Sequence, residues 1–155
     1  MTSTAKISAT ELDTITGQII DAAIALHRNL GPGLLEHVYE VLLADELTRR
    51  GLRVVRQQPV AITHAGRIFD EAFRADLLVA GKVIVEIKSL ERLAPVHTKQ
   101  LLTYLRMLNL PVGLLLNFNA ATLREGLHRV INRLEADQSP ALRINQPSKD
   151  APPPL

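Results

Sequence analysis

VIVEIKS, residues 83–89, sets two charges, Glu86 and Lys88, among residues suited to a sheet interior. A strand's side-chain period of two puts both charges on one face. Asp76 lies upstream in RADLLVA, and Ala80-Gly81 between the two runs reads as a turn. A two-residue loop at 80 and 81 would pair Val79 with Lys82 and set Asp76 opposite Val85. A three-residue loop, 80–82, pairs Val79 with Val83, Leu77 with Val85, and Asp76 with Glu86. The second register matches polar with polar and is preferred, with Gly81 supplying the positive φ that such loops need. It brings the two carboxylates to Cβ separations of about 5 Å. Like charges so placed repel unless a cation lies between them, and hard divalent ions such as Mg²⁺ take carboxylate oxygens. Lys88 adds a positive charge nearby. Taken alone, the hairpin also fits a plainer reading, in which Glu86 and Lys88 are the solvated side of a strand.

Other polar residues are ambiguous one by one. Glu36 and Tyr39, in GLLEHVY, share a helix face at i, i+3. Glu36 suits the first turn of a helix as a complement to its dipole, and Tyr39 suits a packed ring with a satisfied hydroxyl. Gln100 and Tyr104, at i, i+4, fit a surface pair, a brace or a site. His27 and His97 read as structural, and no H-x₃-H or comparable set offers a zinc site. Ser89 has no evident base partner. Gly31-Pro32-Gly33 lacks the G-K-[ST] of a phosphate loop and reads as a sharp break between helices.

The elements that must carry these residues follow from periodicity. Ile15, Ile19, Ala22, Ala23, Leu26 and Leu30 predict an amphipathic helix over 13–30, capped by Thr10 or Asp13. Leu35, Val38, Leu42, Leu43 and Leu47 predict a second, closed by Arg49-Arg50-Gly51. Strands are expected over 53–62, 67–79 and 82–89, with Pro59 marking an edge or an irregularity. A helix is expected over 96–109, a strand over 112–118, and a last helix over 122–136. The order implies an α/β fold (α+β mixed sheet), because the helix after the third strand is long enough to be a crossover.

Composition narrows the function classes. The chain has 155 residues, 46% of them hydrophobic, which suits one domain with one core. We expect a flexible N-terminus over 1–11, a domain over 12–136 and a Pro-rich disordered tail over 137–155. There is no cysteine, so disulfides, thiolate metal sites and cysteine nucleophiles are excluded. No stretch approaches the roughly 20 apolar residues of a membrane span, and a cytoplasmic protein is expected. The net charge of +2 permits a phosphate-rich partner without requiring one. Aromatic residues are 3% of the chain, too few for a base-stacking platform.

The spaced motifs change the weighting when taken together. GLLEHVY, Asp76 with Glu86-Ile87-Lys88, and Gln100 with Tyr104 occur in AAIALHRNLGPGLLEHVYE, FRADLLVAGKVIVEIKS and HTKQLLTYLR, followed by GLLLNFN. Over residues 12 to 133 the chain resembles the bacterial GxxExxY proteins, in the PD-(D/E)XK nuclease-like superfamily. The resemblance implies a restriction-endonuclease-like αβββαβ core with flanking helices. It also implies Asp76 and Glu86 as ligands of Mg²⁺ or Mn²⁺, joined by the Ile87 carbonyl, with Glu36 as a further acid from the helix. Lys88 would position the attacking water, Gln100 would join the site, and Tyr39 and Tyr104 would support it. Ala75 replaces the proline that often precedes the aspartate, so only Asp76 is carried over. The implied function is Mg²⁺-dependent hydrolysis of DNA phosphodiester bonds. The alternative is a catalytically silent fold that binds nucleic acid or a protein partner. By analogy with small nucleases that address two strands, the resemblance extends to a homodimer.

Overall fold

The computed structural model describes residues 7–133, so the reading for the N-terminus over 1–11 falls partly, and that for the Pro-rich tail wholly, outside them. Helix α1 spans Ala9–Leu30. It starts earlier than the apolar spacing predicts because Ser8, rather than Thr10 or Asp13, caps it. The Ser8 hydroxyl accepts the Glu11 N–H at 3.1 Å. Helix α2 spans Glu36–Arg49. The break between them is pinned from inside: the buried Tyr39 hydroxyl donates to the Gly31 carbonyl at 2.6 Å and accepts the Leu34 N–H at 3.2 Å. Gly31 and Gly33 have φ of 71° and 101°, a region that favours glycine.

Strands β1 (Val54–His64), β2 (Arg67–Val79) and β3 (Val83–Lys88) form an antiparallel meander. Helix α3 (Pro95–Leu108) crosses over to β4 (Val112–Asn117), which runs parallel to β3. The sheet order is β1-β2-β3-β4-β5, with β5 formed by Leu127–Ile131. Pro59 therefore sits on an edge strand, beside a register shift between Val60 and Ile62, as its chemistry requires. The expected core is present as α2-β1-β2-β3-α3-β4.

The helix expected over 122–136 is a correction. Leu123–Gly126 make a single turn, α4, and Leu127–Ile131 form strand β5, antiparallel to β4. Leu123, Leu127 and Ile131 coincide with a helical spacing. The free edge of β4 decides the outcome, because its backbone groups need partners that a strand supplies. The faces alternate as a strand's do: Leu127 packs on the α1 side, and Val130 on the α3 side. Gly126 allows the chain to pass under Asn117, since a Cβ there would stand 2.3 Å from the Asn117 carbonyl oxygen.

Two apolar layers sandwich the sheet. Ile15, Ile19, Ala22 and Ala23 of α1 and Tyr39, Leu43 and Leu47 of α2 pack against Leu77, Val79, Val85, Ile87, Leu114 and Leu116. On the other face Leu101 and Leu105 of α3 pack against Ala75, Ile84, Leu115 and Val130. Ala75 and Leu77 thus lie in opposite layers, although residues two apart in a regular strand share a face. The strand must break its pleat between them, at Asp76. Among the described residues no helix is long and apolar enough to cross a membrane.

Candidate active site

The β2–β3 register is Leu77↔Val85, Leu78↔Ile84 and Val79↔Val83, the three-residue loop. Ala80 and Gly81 take φ of 54° and 65°, and the Lys82 N–H donates to the Val79 carbonyl at 3.0 Å. The backbone ladder ends at Leu77 and Val85, and side chains replace it. The Asp76 N–H donates to Glu86 Oε1 at 3.1 Å, and the Ile87 N–H donates to Asp76 Oδ2 at 2.8 Å. One oxygen of each carboxylate holds the diverging strands together, and each keeps its second oxygen off these backbone groups.

Glu86 is buried, with 7% of its surface exposed. Burial, then the Asp76 charge, pushes its carboxyl up to about 8. Burial also raises Asp76, against the stabilising Ile87 N–H and with the Glu40 charge adding to the rise. Without a metal, Glu86 is therefore mostly protonated at neutral pH. Lys88, beside both, favours their charged forms.

The other expected site residues divide. Glu36 is exposed, and its Oε1 accepts the Ser89 N–H at 3.2 Å, one residue past Lys88. Ser89 Oγ donates to the Leu34 carbonyl at 2.7 Å, tying the α1–α2 loop to the end of β3. Glu36 and Ser89 line an open cavity of about 430 Å³ with Gly33, Leu34, Leu35 and Asn119. Tyr104 stacks on Phe73 with ring centroids 3.9 Å apart. Burial, then the Glu86 and Asp76 charges, raise its hydroxyl's pKa, and it packs against the layer that contains Ala75, the residue before Asp76. Gln100 is exposed and makes no side-chain hydrogen bond among the described residues. Tyr39 is fully buried, stacked on Phe118 at 4.4 Å, and serves the loop rather than the carboxylates. His27 Nε2 donates to the Ala120 carbonyl at 2.9 Å, and His97 Nδ1 accepts the Ala94 N–H at 3.0 Å; both are structural.

A residue not singled out in the sequence is Glu40. It is 4% exposed. Arg56 donates to its Oε2 from Nε at 3.1 Å and Nη2 at 2.7 Å. The Gln57 amide donates to its Oε1 and also reaches Asp76 Oδ1 at 3.4 Å. The signal was present in GLLEHVYE: Glu40 precedes the buried Leu43, Ala44 and Leu47 at i+3, i+4 and i+7, so a charge occupies a core position of α2.

Among the described residues no group of three or more Asp, Glu or His side chains is arranged to hold a metal ion. The donor set at the strand break is two carboxylates. That set suits Mg²⁺, which keeps several waters and takes one or two carboxylates, better than it suits a many-ligand Ca²⁺ cage. A family model described as PD-(D/E)XK nuclease superfamily matches residues 13–130. No curated protein and no solved structure matches the chain significantly.

Proposed function

The chain belongs to the PD-(D/E)XK nuclease superfamily, and from that premise we propose that it is a divalent-metal-dependent nuclease hydrolysing DNA phosphodiester bonds. The GLLEHVY motif supports a place among its GxxExxY members. The observation that carries the reading is the Asp76–Glu86 pair, a half-buried and a buried carboxylate facing each other where the β2–β3 ladder ends. Two such groups cannot both ionise cheaply in a dry site, which is a standing preference for a cation.

Asp76, Glu86 and the Ile87 carbonyl would hold Mg²⁺ or Mn²⁺, which would lower the pKa of water and offset charge at the scissile phosphate. Loading requires Glu86 to give up the proton it holds at neutral pH. The backbone N–H groups of Asp76 and Ile87 keep the carboxylates from turning away. Lys88 orients the attacking water and steadies the charge that develops on the phosphate. Tyr104, stacked on Phe73, shields the pair from bulk solvent on the α3 side. Glu36 closes the other side through Ser89, and Gln100 faces the substrate.

The test is cleavage of linear, circular and branched DNA by the full chain with Mg²⁺, Mn²⁺ or EDTA. Metal-dependent strand scission supports the reading. No scission of any substrate with either metal would leave the fold as a binding module.

A further inference from the structure

Gln57 has φ of 52°, and among the described residues it is the only positive-φ residue inside a strand. Ala65 and Ala80 lie in hairpin turns, and Asn109 ends α3. A left-handed conformation at a residue with a long side chain is strained and persists only where the surroundings impose it. The surroundings here are specific. The register Arg56↔Leu77 and Gln58↔Ala75 places Gln57 opposite Asp76. At that same point β2 changes face between Ala75 and Leu77.

The side chain explains what the strain achieves. The Gln57 amide nitrogen lies between two carboxylates, donating to Glu40 Oε1 and reaching Asp76 Oδ1 at 3.4 Å. Glu40 cannot swing away, because the two-pronged Arg56 contact holds its other oxygen. Asp76 Oδ2 is already fixed by the Ile87 N–H. With both of its oxygens engaged, from opposite neighbouring strands, the plane of the Asp76 carboxylate is set before any cation arrives.

We propose that Gln57 is a positioning residue for Asp76, held in its left-handed conformation by the Arg56–Glu40 pair so that Asp76 meets a divalent cation preorganised. This rests on the reading of Asp76 and Glu86 as the cation site. A merely structural role would be different: Gln57 would only satisfy the buried Glu40, and its loss would cost stability without touching the metal.

The experiment is Mn²⁺ titration calorimetry on the full chain, with melting temperature as the control for folding. Gln57→Gly removes the amide and tolerates the backbone. Gln57→Asn keeps an amide and a residue at ease with positive φ, but falls one methylene short. Both should weaken Mn²⁺ binding by about tenfold or more. Glu40→Ala should weaken it comparably, and the Gln57→Gly/Glu40→Ala double variant should lose little further, because the two act in one chain. Wild-type affinity in Gln57→Gly and Gln57→Asn, or additive losses in the double variant, would overturn the inference alone. A wild-type chain that binds no Mn²⁺ would overturn the reading of the site and the inference with it.

Discussion

Asp76 and Glu86 exchange hydrogen bonds through the ends of their strands. The Asp76 N–H donates to Glu86 Oε1 at 3.1 Å, and the N–H following Glu86, that of Ile87, donates to Asp76 Oδ2 at 2.8 Å. Two acids that would repel one another are thereby built into the place where β2 and β3 part. The stability of the fold and the chemistry of the site are coupled at this point.

The coupling has a pH signature. Glu86 titrates at about 8 in the folded chain against 4.5 for a free side chain. The folded state therefore binds more protons between those values. Its metal-free stability is greatest below the lower one and is lost as pH rises through the upper one. Asp76 shifts in the same direction. The melting temperature of EDTA-treated protein should fall from about pH 5 to about pH 8.5, by the equivalent of a few kcal/mol. Glu86→Gln should flatten that fall. A slope unchanged by the substitution would contradict the assignment.

The Arg56–Glu40 pair should be asymmetric. The Arg56 side chain is 38% exposed and that of Glu40 only 5%. Removing Glu40 leaves a guanidinium that water can reach, whereas removing Arg56 strands a buried carboxylate. Urea denaturation should show Arg56→Ala costing about 3–5 kcal/mol and Glu40→Ala about half of that or less. The reverse order would mean that the Glu40 charge is better solvated than its burial implies.

Tyr39 separates loop support from chemistry. Tyr39→Phe keeps the stack on Phe118 but frees the Gly31 carbonyl and the Leu34 N–H. Denaturation should register about 1–2 kcal/mol, with Mn²⁺ affinity at the wild-type value. A drop in affinity would place Tyr39 at the metal after all.

What the sequence made legible follows from which forces are local. The hairpin register was readable because only one loop length pairs Leu77 with Val85 and Asp76 with Glu86, and a slip would bury charge against apolar groups. Strand β5 was not, since Leu123, Leu127 and Ile131 satisfy a helical period and the deciding partner is the edge of β4, which lies near in space but runs antiparallel. Glu40 carried a local signal, a charge on the buried stripe of α2. Its partners Arg56 and Gln57 come from another element, so its role was not readable. The left-handed Gln57 leaves no trace in RQQPV, which has no glycine or asparagine at that position.

Lys88 should matter to turnover more than to metal. It is half-buried beside two acids whose charged forms it favours. Lys88→Met should keep Mn²⁺ affinity within a few fold while slowing DNA cleavage by about 10²–10³. Parallel losses in both would make Lys88 a support of the carboxylates rather than a participant.

The most direct test of the central claim is single-turnover cleavage of end-labelled DNA in Mg²⁺ by wild type, Asp76→Ala and Glu86→Ala, each first shown to be folded by its melting temperature. The account predicts strand scission by the wild type, abolished by EDTA and reduced by about 10³ or more in each variant. Scission that persists at the wild-type rate in either variant would contradict it.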